Sequence, residues 1–269
     1  MTEVAATASA GAKVAEHAGE TASGIHVALS AEQLGTFLGL PITNTLVTSW
    51  IVVVLLLTIA FFVNRRISLV PSRLQILFEE IITYIHTFMR DTLENDAVAR
   101  RYLPLLVTMF LFIATSNLIE FTPGIGSLGF FHEGGGFSPL LRSVNTDLNV
   151  TLALAIIAVI AIEIAGVAAL GFFRYAGKFL NFSSPLNFAV GLIELVSEVS
   201  RLVSFSFRLF GNIFAGEVLL AVVVYFAPYI VPAPLMAFEL FVGVVQGAVF
   251  ALLTLFFIKL AIADPHAAH

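Results

Sequence analysis

A line of polar side chains runs through one of the most apolar stretches of this sequence. At about 100° per residue on an α-helix, six of them fall within about 40° of one line. The line consists of Glu194, Ser197, Arg201, Ser204, Arg208 and Asn212. A charge at the centre of a bilayer costs at least a few kcal/mol. Such a line is therefore typical of an aqueous path along a membrane helix.

A second polar face is predicted on the opposite side of the same helix. Glu217 follows Arg208 by nine residues, so its side chain points about 180° away from the arginine. On the next apolar segment, Glu239 and Gln246 are seven residues apart and nearly in line. We expect these two side chains to face Glu217 across a helical hairpin. One helix then presents an arginine to one neighbour and a carboxylate to another.

The residue types on the two faces favour proton transfer. A carboxyl group in a lowered dielectric can take up and release a proton near neutral pH. A guanidinium stays charged and acts as a fixed electrostatic barrier. The sequence contains no cysteine, and its six histidines form no ligand-spaced pair within an apolar segment, so neither a metal site nor a cofactor is expected. Glu194, Glu198 and Arg201 have a second interpretation, as headgroup-level residues at a helix start.

The composition shows which elements must position these groups. The chain has 269 residues, of which 59% are hydrophobic and only 12% charged, against about 25% charged in soluble domains. A net charge of −5 gives no basic footprint for nucleic acid. These values predict an all-α integral membrane protein whose surface contacts the lipid bilayer.

Five apolar segments are long enough to cross a bilayer. They cover approximately residues 45–63, 103–121, 148–173, 186–227 and 235–262. The fourth is too long for one upright crossing, so we expect the last two to form a long tilted hairpin across a proline-rich turn. Residues of about 72–95 have the periodicity of an amphipathic surface helix. A polar tail, 1–40, precedes this membrane domain, 41–269, and the absence of an internal repeat disfavours an inverted-repeat transporter.

The positions of the cations predict the orientation in the membrane. If the segments alternate, nine cations fall on one side. They are Arg65, Arg66, Arg73, Arg90, Arg100, Arg101, Arg174, Lys178 and Lys259. Only Lys13 and Arg142 fall on the other side. This asymmetry places the N-terminus outside and the C-terminus in the cytoplasm.

The segment Phe207–Glu217, FRLFGNIFAGE, closely resembles the signature of subunit a of F-type ATP synthases. The resemblance extends to Asn145–Thr151, NTDLNVT, and to Gln246 with Phe250 in the last segment. The order of elements matches over nearly the whole chain beyond residue 40. One position departs from the pattern: Glu239 stands where the best-known bacterial members carry histidine.

The resemblance implies a non-catalytic stator subunit of a proton-driven rotary motor in the cell inner (plasma) membrane. Arg208 would face a ring of small two-helix subunits that carry essential carboxylates. The implied outer half-channel contains Asp147, Asn212, Glu217, Glu239 and Gln246. The implied cytoplasmic half-channel contains Glu194, Ser197 and Ser204. Further implied partners are the peripheral-stalk membrane subunit and the catalytic head, since this chain has no phosphate-binding GxxxxGK loop.

Two other functions remain open from the residues alone. A secondary transporter of a small anion would use Arg208 to bind its substrate, and a structural membrane scaffold would need neither Arg208 nor Glu217. The sequence also leaves the coupling ion open between the proton, which we expect, and sodium.

Overall fold

The computed structural model describes residues 33–37, 40–65, 73–122, 129–131, 137–139, 141–179 and 185–263. Seven α-helices dominate these residues. They are α1 (Asn44–Arg65), α2 (Arg73–Leu93), α3 (Asp96–Glu120), α4 (Leu148–Leu170), α5 (Phe172–Phe179), α6 (Pro185–Phe226) and α7 (Pro232–Ile262). Two antiparallel strand pairs are small additions. They are β1 (Gln33–Phe37) with β2 (Leu40–Thr43), and β3 (Gly129–Phe131) with β4 (Phe137–Pro139).

Five of these helices are long and apolar enough to cross a membrane: α1, α3, α4, α6 and α7. The predicted all-α membrane fold is therefore confirmed. Helix α2 carries the predicted amphipathic pattern. The 42 residues of α6 correspond to about 63 Å at 1.5 Å per residue. Because a bilayer core is about 30 Å thick, α6 must incline or extend beyond it, as the length of the segment predicts.

Two helix ends differ from the sequence-based expectation. Helix α3 begins at Asp96, before the apolar run, because the Asn95 side chain accepts hydrogen bonds from the backbone N–H groups of Ala97 and Val98 at 3.0 and 3.2 Å. Such a cap satisfies donors that a helix start leaves unpaired. Helix α4 ends at Leu170 rather than continuing to residue 173, because Gly171 adopts φ +83°. That conformation suits glycine and ends the helix.

The two ends of the helix bundle differ in composition. Lys259, near the end of α7, pairs with Glu94 in the α2–α3 turn at 3.0 Å. We call this side, which also includes Arg65 and Arg100, the cation-rich end. The opposite side, with residues 121–122, 129–131, 137–139, 141–147 and 227–231, is the loop end. Residues 1–32 lie outside the described residues, so the predicted polar tail is described only from β1 onward.

Helices α3 and α7 pack closely at the centre, and α4 packs against both α6 and α7. A Cβ added to Gly247 of α7 would lie 3.2 Å from the Phe110 carbonyl oxygen, so glycine permits this approach of the two backbones. Phe205 and Phe250 join α6 to α7, with ring centroids 5.0 Å apart. The other side of α6 exposes apolar residues, including Val196, Val203 and Phe207. In a bilayer this surface must meet lipid or another subunit.

Candidate functional site

Arg208 lies near the middle of α6 on its exposed surface. Its Nη2 atom donates a hydrogen bond to Ser204 Oγ at 3.2 Å, one helical turn away. Among the residues that the structure describes, no carboxylate lies within ion-pair distance of this guanidinium. A charge in an apolar helix without a counter-charge is costly. Arg208 is therefore a charge in an apolar helix without a counter-charge among the described residues.

A polar cleft extends from Arg208 toward the cation-rich end. Its volume is 270 Å³, and α6 and α7 line it together. The polar lining residues are Ser197, Ser200, Arg201, Ser204 and Arg208. Two of the three predicted cytoplasmic-side positions, Ser197 and Ser204, thus share one open space with the arginine. Glu194 lies one turn before Ser197 and is half-buried, at the start of the same surface.

Arg201 forms one wall of this cleft. Its Nη1 atom lies 2.6 Å from Glu198 Oε2, and its guanidinium lies 4.0 Å from the centre of the Phe257 ring. Both charged side chains are nearly buried, at 13% and 12% exposure. Their burial among α-helices disfavours the headgroup interpretation of this pair, because headgroup-level side chains are solvated.

A different polar group lies on the loop-end side of Arg208. Asn212, one turn beyond the arginine, donates a hydrogen bond from Nδ2 to Gln246 Oε1 at 2.7 Å. Beside this pair is a cavity of 20 Å³ lined by Asn117, Glu120, Phe121, Asn212, Ile213, Glu239 and Val242. That volume is enough for one water molecule. The structure thus brings together Asn212, Gln246 and Glu239, which the resemblance assigns to one half-channel, and adds Glu120. Helical spacing predicts Glu217 as the partner of Gln246, but the hydrogen bond of Gln246 is with Asn212.

Glu217 has a partner that the sequence analysis did not assign to it. Glu239 approaches α6 closely, and a Cβ added to Gly216, next to Glu217, would overlap the Glu239 carboxyl group. Yet the direct ion pair of Glu217 is with Arg142, from the loop before α4, where Nη2 and Oε2 are 3.5 Å apart. Arg142 is only 8% exposed. The loop therefore inserts a cation beside the acids of the hairpin.

Asp147 holds this loop in place. Its side chain accepts hydrogen bonds from the backbone N–H of Asn149 at 2.9 Å and from Thr45 Oγ1 at 2.8 Å. The first caps α4, and the second joins the loop to α1. The backbone N–H of Arg142 is likewise hydrogen bonded to Thr48 Oγ1 at 3.2 Å. These contacts fix the position from which Arg142 reaches Glu217.

Two asparagines complete the support of the site. Asn117 of α3 donates to the Gly243 carbonyl of α7 at 2.8 Å, and Asn145 of the loop donates to Asn117 Oδ1 at 2.6 Å. Both side chains are fully buried. The sequence analysis missed Glu120, Arg142, Asn117 and Asn145 as site residues. A polar residue inside or beside an apolar segment was the available signal, but spacing alone does not pair residues from distant segments.

Asn117→Ala is expected to destabilise the bundle. It removes both hydrogen bonds and leaves the Gly243 carbonyl and the Asn145 amide without those partners, at a cost of about 1–3 kcal/mol for each buried group. The check is the midpoint of thermal unfolding of the purified subunit in detergent. Ser116→Ala is the matched control, since the buried Ser116 hydroxyl has no hydrogen-bond partner among the described residues. Equal midpoints for the two variants would contradict this role of Asn117.

The fold and the site together define a multi-pass membrane protein that holds ionisable side chains on two sides of one long helix. Comparison with known proteins specifies the class further. A family model described as ATP synthase A chain matches residues 46–259. The chain is 36% identical to the sodium-ion-specific ATP synthase subunit a of Propionigenium modestum, over 84% of this chain and 76% of the relative.

Other relatives carry the same description without an ion. The ATP synthase subunit a of Mycobacterium bovis is 34% identical over 90% of this chain and 96% of its own length. The ATP synthase subunit a of Moorella thermoacetica is 32% identical over 81% of this chain and 90% of its own length. The chain therefore belongs to the ATP synthase subunit a family. It is a multi-pass protein of the plasma membrane and a subunit of the membrane sector of ATP synthase.

Proposed function

We propose that this chain is the stator that provides two proton half-channels and the arginine between them, and so couples proton flow to rotation of a ring of small two-helix subunits. The observation that carries the proposal is the position of Arg208. Polar groups lie on both sides of Arg208 along α6. The cleft lies toward the cation-rich end, and the Asn212–Gln246 pair lies toward the loop end. The exposed surface of α6 around Arg208 is where the ring would pass.

The loop-end half-channel would bring a proton from the outer side to the ring. Glu217 with Arg142, then Glu239 and the adjoining cavity, offer carboxyl groups and room for water. Carboxyl groups and water can exchange a proton over hydrogen-bond distances. Asn212 and Gln246 cannot titrate, so they would orient water and the ring carboxyl. We assign Asp147 to this half-channel as the residue that holds the Arg142 loop, since its oxygens are engaged by Thr45 and Asn149.

The ring carboxyl is neutral once it is protonated, and a neutral carboxyl can enter lipid at far lower cost than a charged one. After nearly a full turn it would meet the cleft on the cation-rich side. There it would release its proton toward Ser204, Ser197 and Glu194. The open volume of 270 Å³ supports water in this exit.

Arg208 would separate the two half-channels. Its guanidinium cannot give up its proton at physiological pH, so no proton can pass through it. It also offers the counter-charge to a ring carboxylate that has just lost its proton. The lack of any described carboxylate partner for Arg208 supports this role. Each transferred charge contributes about 2.3 kcal/mol per 100 mV, so several protons are needed for each ATP that the catalytic head makes.

The orientation and the partners follow from the same proposal. The cation excess predicts that the cation-rich end is cytoplasmic, which places the N-terminus outside and the C-terminus inside. The apolar faces of α1 and α2 remain for lipid and for the membrane subunit of the peripheral stalk. Sodium is the second candidate for the coupling ion, because the name of one relative specifies sodium. ATP-driven acidification of vesicles that persists in sodium-free buffer would favour the proton.

Cysteine substitutions test the two separate half-channels, because the natural chain contains no cysteine. Ser197→Cys in the cleft is expected to react with a membrane-impermeant thiol reagent only from the cation-rich side. Val242→Cys, beside the Glu239 cavity, is expected to react only from the loop-end side. Labelling is measured by mass in right-side-out and inverted vesicles.

Leu195→Cys is the matched control, since Leu195 is 51% exposed on the apolar surface of α6. A thiol in lipid does not form the reactive thiolate, so neither side should label it. Reaction of both the Ser197 and the Val242 positions from one and the same side would indicate a single through-pore and overturn the proposal. Binding and exchange of a small anion by the subunit alone would instead favour the transporter.

A further inference from the structure

A second group of ionisable side chains surrounds Tyr175 and adjoins the cleft through Arg201, and part of it belongs to helices other than α6. It consists of Glu163 on α4, Tyr175 on α5, and Glu198 and Arg201 on α6. Tyr175 is only 4% exposed, and Glu163 is half-buried within an apolar helix. An ionisable residue in a membrane helix marks a functional site by default. We call these four residues the Glu163 cluster.

The fold of α4 and α5 places Tyr175 against Glu163. Gly171, with φ +83°, ends α4 and lets α5 turn away from its axis. The Tyr175 ring then packs on Gly166, where an added Cβ would overlap the ring. Gly166 lies one helical turn after Glu163, on the same face of α4. A larger residue at position 166 would push the tyrosine away, so this glycine keeps the hydroxyl close to the glutamate.

The charges in the Glu163 cluster do not balance. Two carboxylates face one guanidinium, and Arg201 is already engaged with Glu198 at 2.6 Å and with the Phe257 ring at 4.0 Å. Burial, and secondarily the adjacent Glu163 carboxylate, raise the pKa of Tyr175. The tyrosine therefore keeps its proton at neutral pH, and its buried hydroxyl remains available as a hydrogen-bond donor. Of the two acids, only Glu198 forms an ion pair with Arg201 among the described residues, and the Oε1 atom of Glu163 is buried without a hydrogen-bond partner among them.

We propose that Glu163 is the proton-collecting residue at the cytoplasmic mouth of the half-channel below Arg208. In ATP-driven pumping, its carboxylate takes a proton from hydronium at the cation-rich end, leaving water. The carboxyl then gives that proton to water in the cleft beside Arg201 and becomes a carboxylate again. Tyr175 is a positioning residue whose buried hydroxyl is available to donate a hydrogen bond to the Glu163 carboxyl. This inference rests on the proposed function and adds a residue outside the polar line of α6.

The physical advantage of such a residue is concentration. Protons are scarce near neutral pH, and a surplus negative charge at the mouth of a low-dielectric cleft raises the local concentration of cations. The benefit grows as the cytoplasmic pH rises. The effect of removing Glu163 must therefore depend on the cytoplasmic pH, whereas a merely structural loss lowers transport equally at all pH values.

The test is ATP-driven proton pumping by the assembled synthase in inverted vesicles, whose cytoplasmic face is outside, over a series of external pH values. Glu163→Gln is expected to pump like the wild type at acidic pH and about tenfold more slowly at alkaline pH, the lower bound of electrostatic focusing. Tyr175→Phe keeps the ring on Gly166 and should shift the profile in the same direction by less. The Tyr175→Phe variant still tests the inference if the complex with Glu163→Gln does not assemble.

Glu94→Gln is the matched control, an exposed acid at the same end that pairs with Lys259. Its pH profile is expected to match the wild type. Profiles of Glu163→Gln and Tyr175→Phe that are parallel to the wild type at every pH would overturn the inference. If Arg208→Ala abolishes coupling in the same assay, the Glu163 inference is wrong but the proposed function still holds. If Arg208→Ala pumps normally, the proposed function itself is wrong.

Discussion

Arg208→Ala is expected to abolish both ATP-driven proton pumping and proton-driven ATP synthesis. An opposite charge at 4 Å stabilises a carboxylate by about 4 kcal/mol at an effective dielectric of 20. Loss of that stabilisation slows proton release from the ring about a thousandfold. The barrier between the two polar spaces is lost as well. The measurement is coupled synthesis and pumping in vesicles, with the amount of assembled complex determined in parallel.

Two further variants separate charge from position. Arg208→Lys should restore little, because lysine is a compact, strongly hydrated charge that can lose its proton when buried. Arg65→Ala removes an arginine whose guanidinium lies 4.5 Å from the Phe61 ring at the cation-rich end, and should leave coupling unchanged. Near wild-type synthesis by Arg208→Ala in assembled complexes would refute the stator mechanism and return the structural scaffold to consideration.

Glu217→Gln and Glu239→Gln are each expected to slow coupled proton flux, and the double variant should be slower than either. One remaining acid can still titrate, which preserves part of the entry path. The structure predicts that Glu217→Gln and Glu239→Gln reduce the flux by different amounts. Glu217→Gln also removes the ion-pair partner of the buried Arg142, 3.5 Å away. Because an unpaired buried charge is costly, Glu217→Gln should lose about ten- to a hundredfold in flux, equivalent to about 1.5–3 kcal/mol.

The double variant Arg142→Gln with Glu217→Gln tests whether the unpaired Arg142 charge causes part of the loss of proton flux. If the unpaired arginine causes part of the defect, the pair of substitutions should transport faster than Glu217→Gln alone. Glu217→Asp should be tolerated better than Glu217→Leu, since titration is the requirement. The measurement is proton uptake into vesicles over a pH series. A double variant of Glu217→Gln and Glu239→Gln that pumps like the wild type at every pH would show that the loop-end path does not use these acids.

The linear pattern of the sequence was sufficient for the membrane fold and for part of the site. Apolar runs and charge content predicted five long helices, because each helix in lipid satisfies its own backbone. The spacing of residues on α6 correctly joined Ser197, Ser204 and Arg208, since residues one or two turns apart on one helix are fixed by its geometry. Across the hairpin, spacing assigned Gln246 to Glu217, whereas in the structure Gln246 accepts a hydrogen bond from Asn212, with 2.7 Å between their amide atoms.

Only the tertiary structure decided contacts between distant segments. Arg142 is an outer-side cation by sequence, yet it is buried and reaches Glu217 because Asp147 and Thr45 tether its loop to α1. In the sequence, Glu163 is a single acid in an apolar helix. In the structure, the turn at Gly171 packs Tyr175 onto Gly166, one helical turn from Glu163. Helical periodicity fixes which residues share a face, but it contains no information on which loop folds over that face. Packing and buried hydrogen bonds determine that choice, and they determine the ionisable partners of each acid.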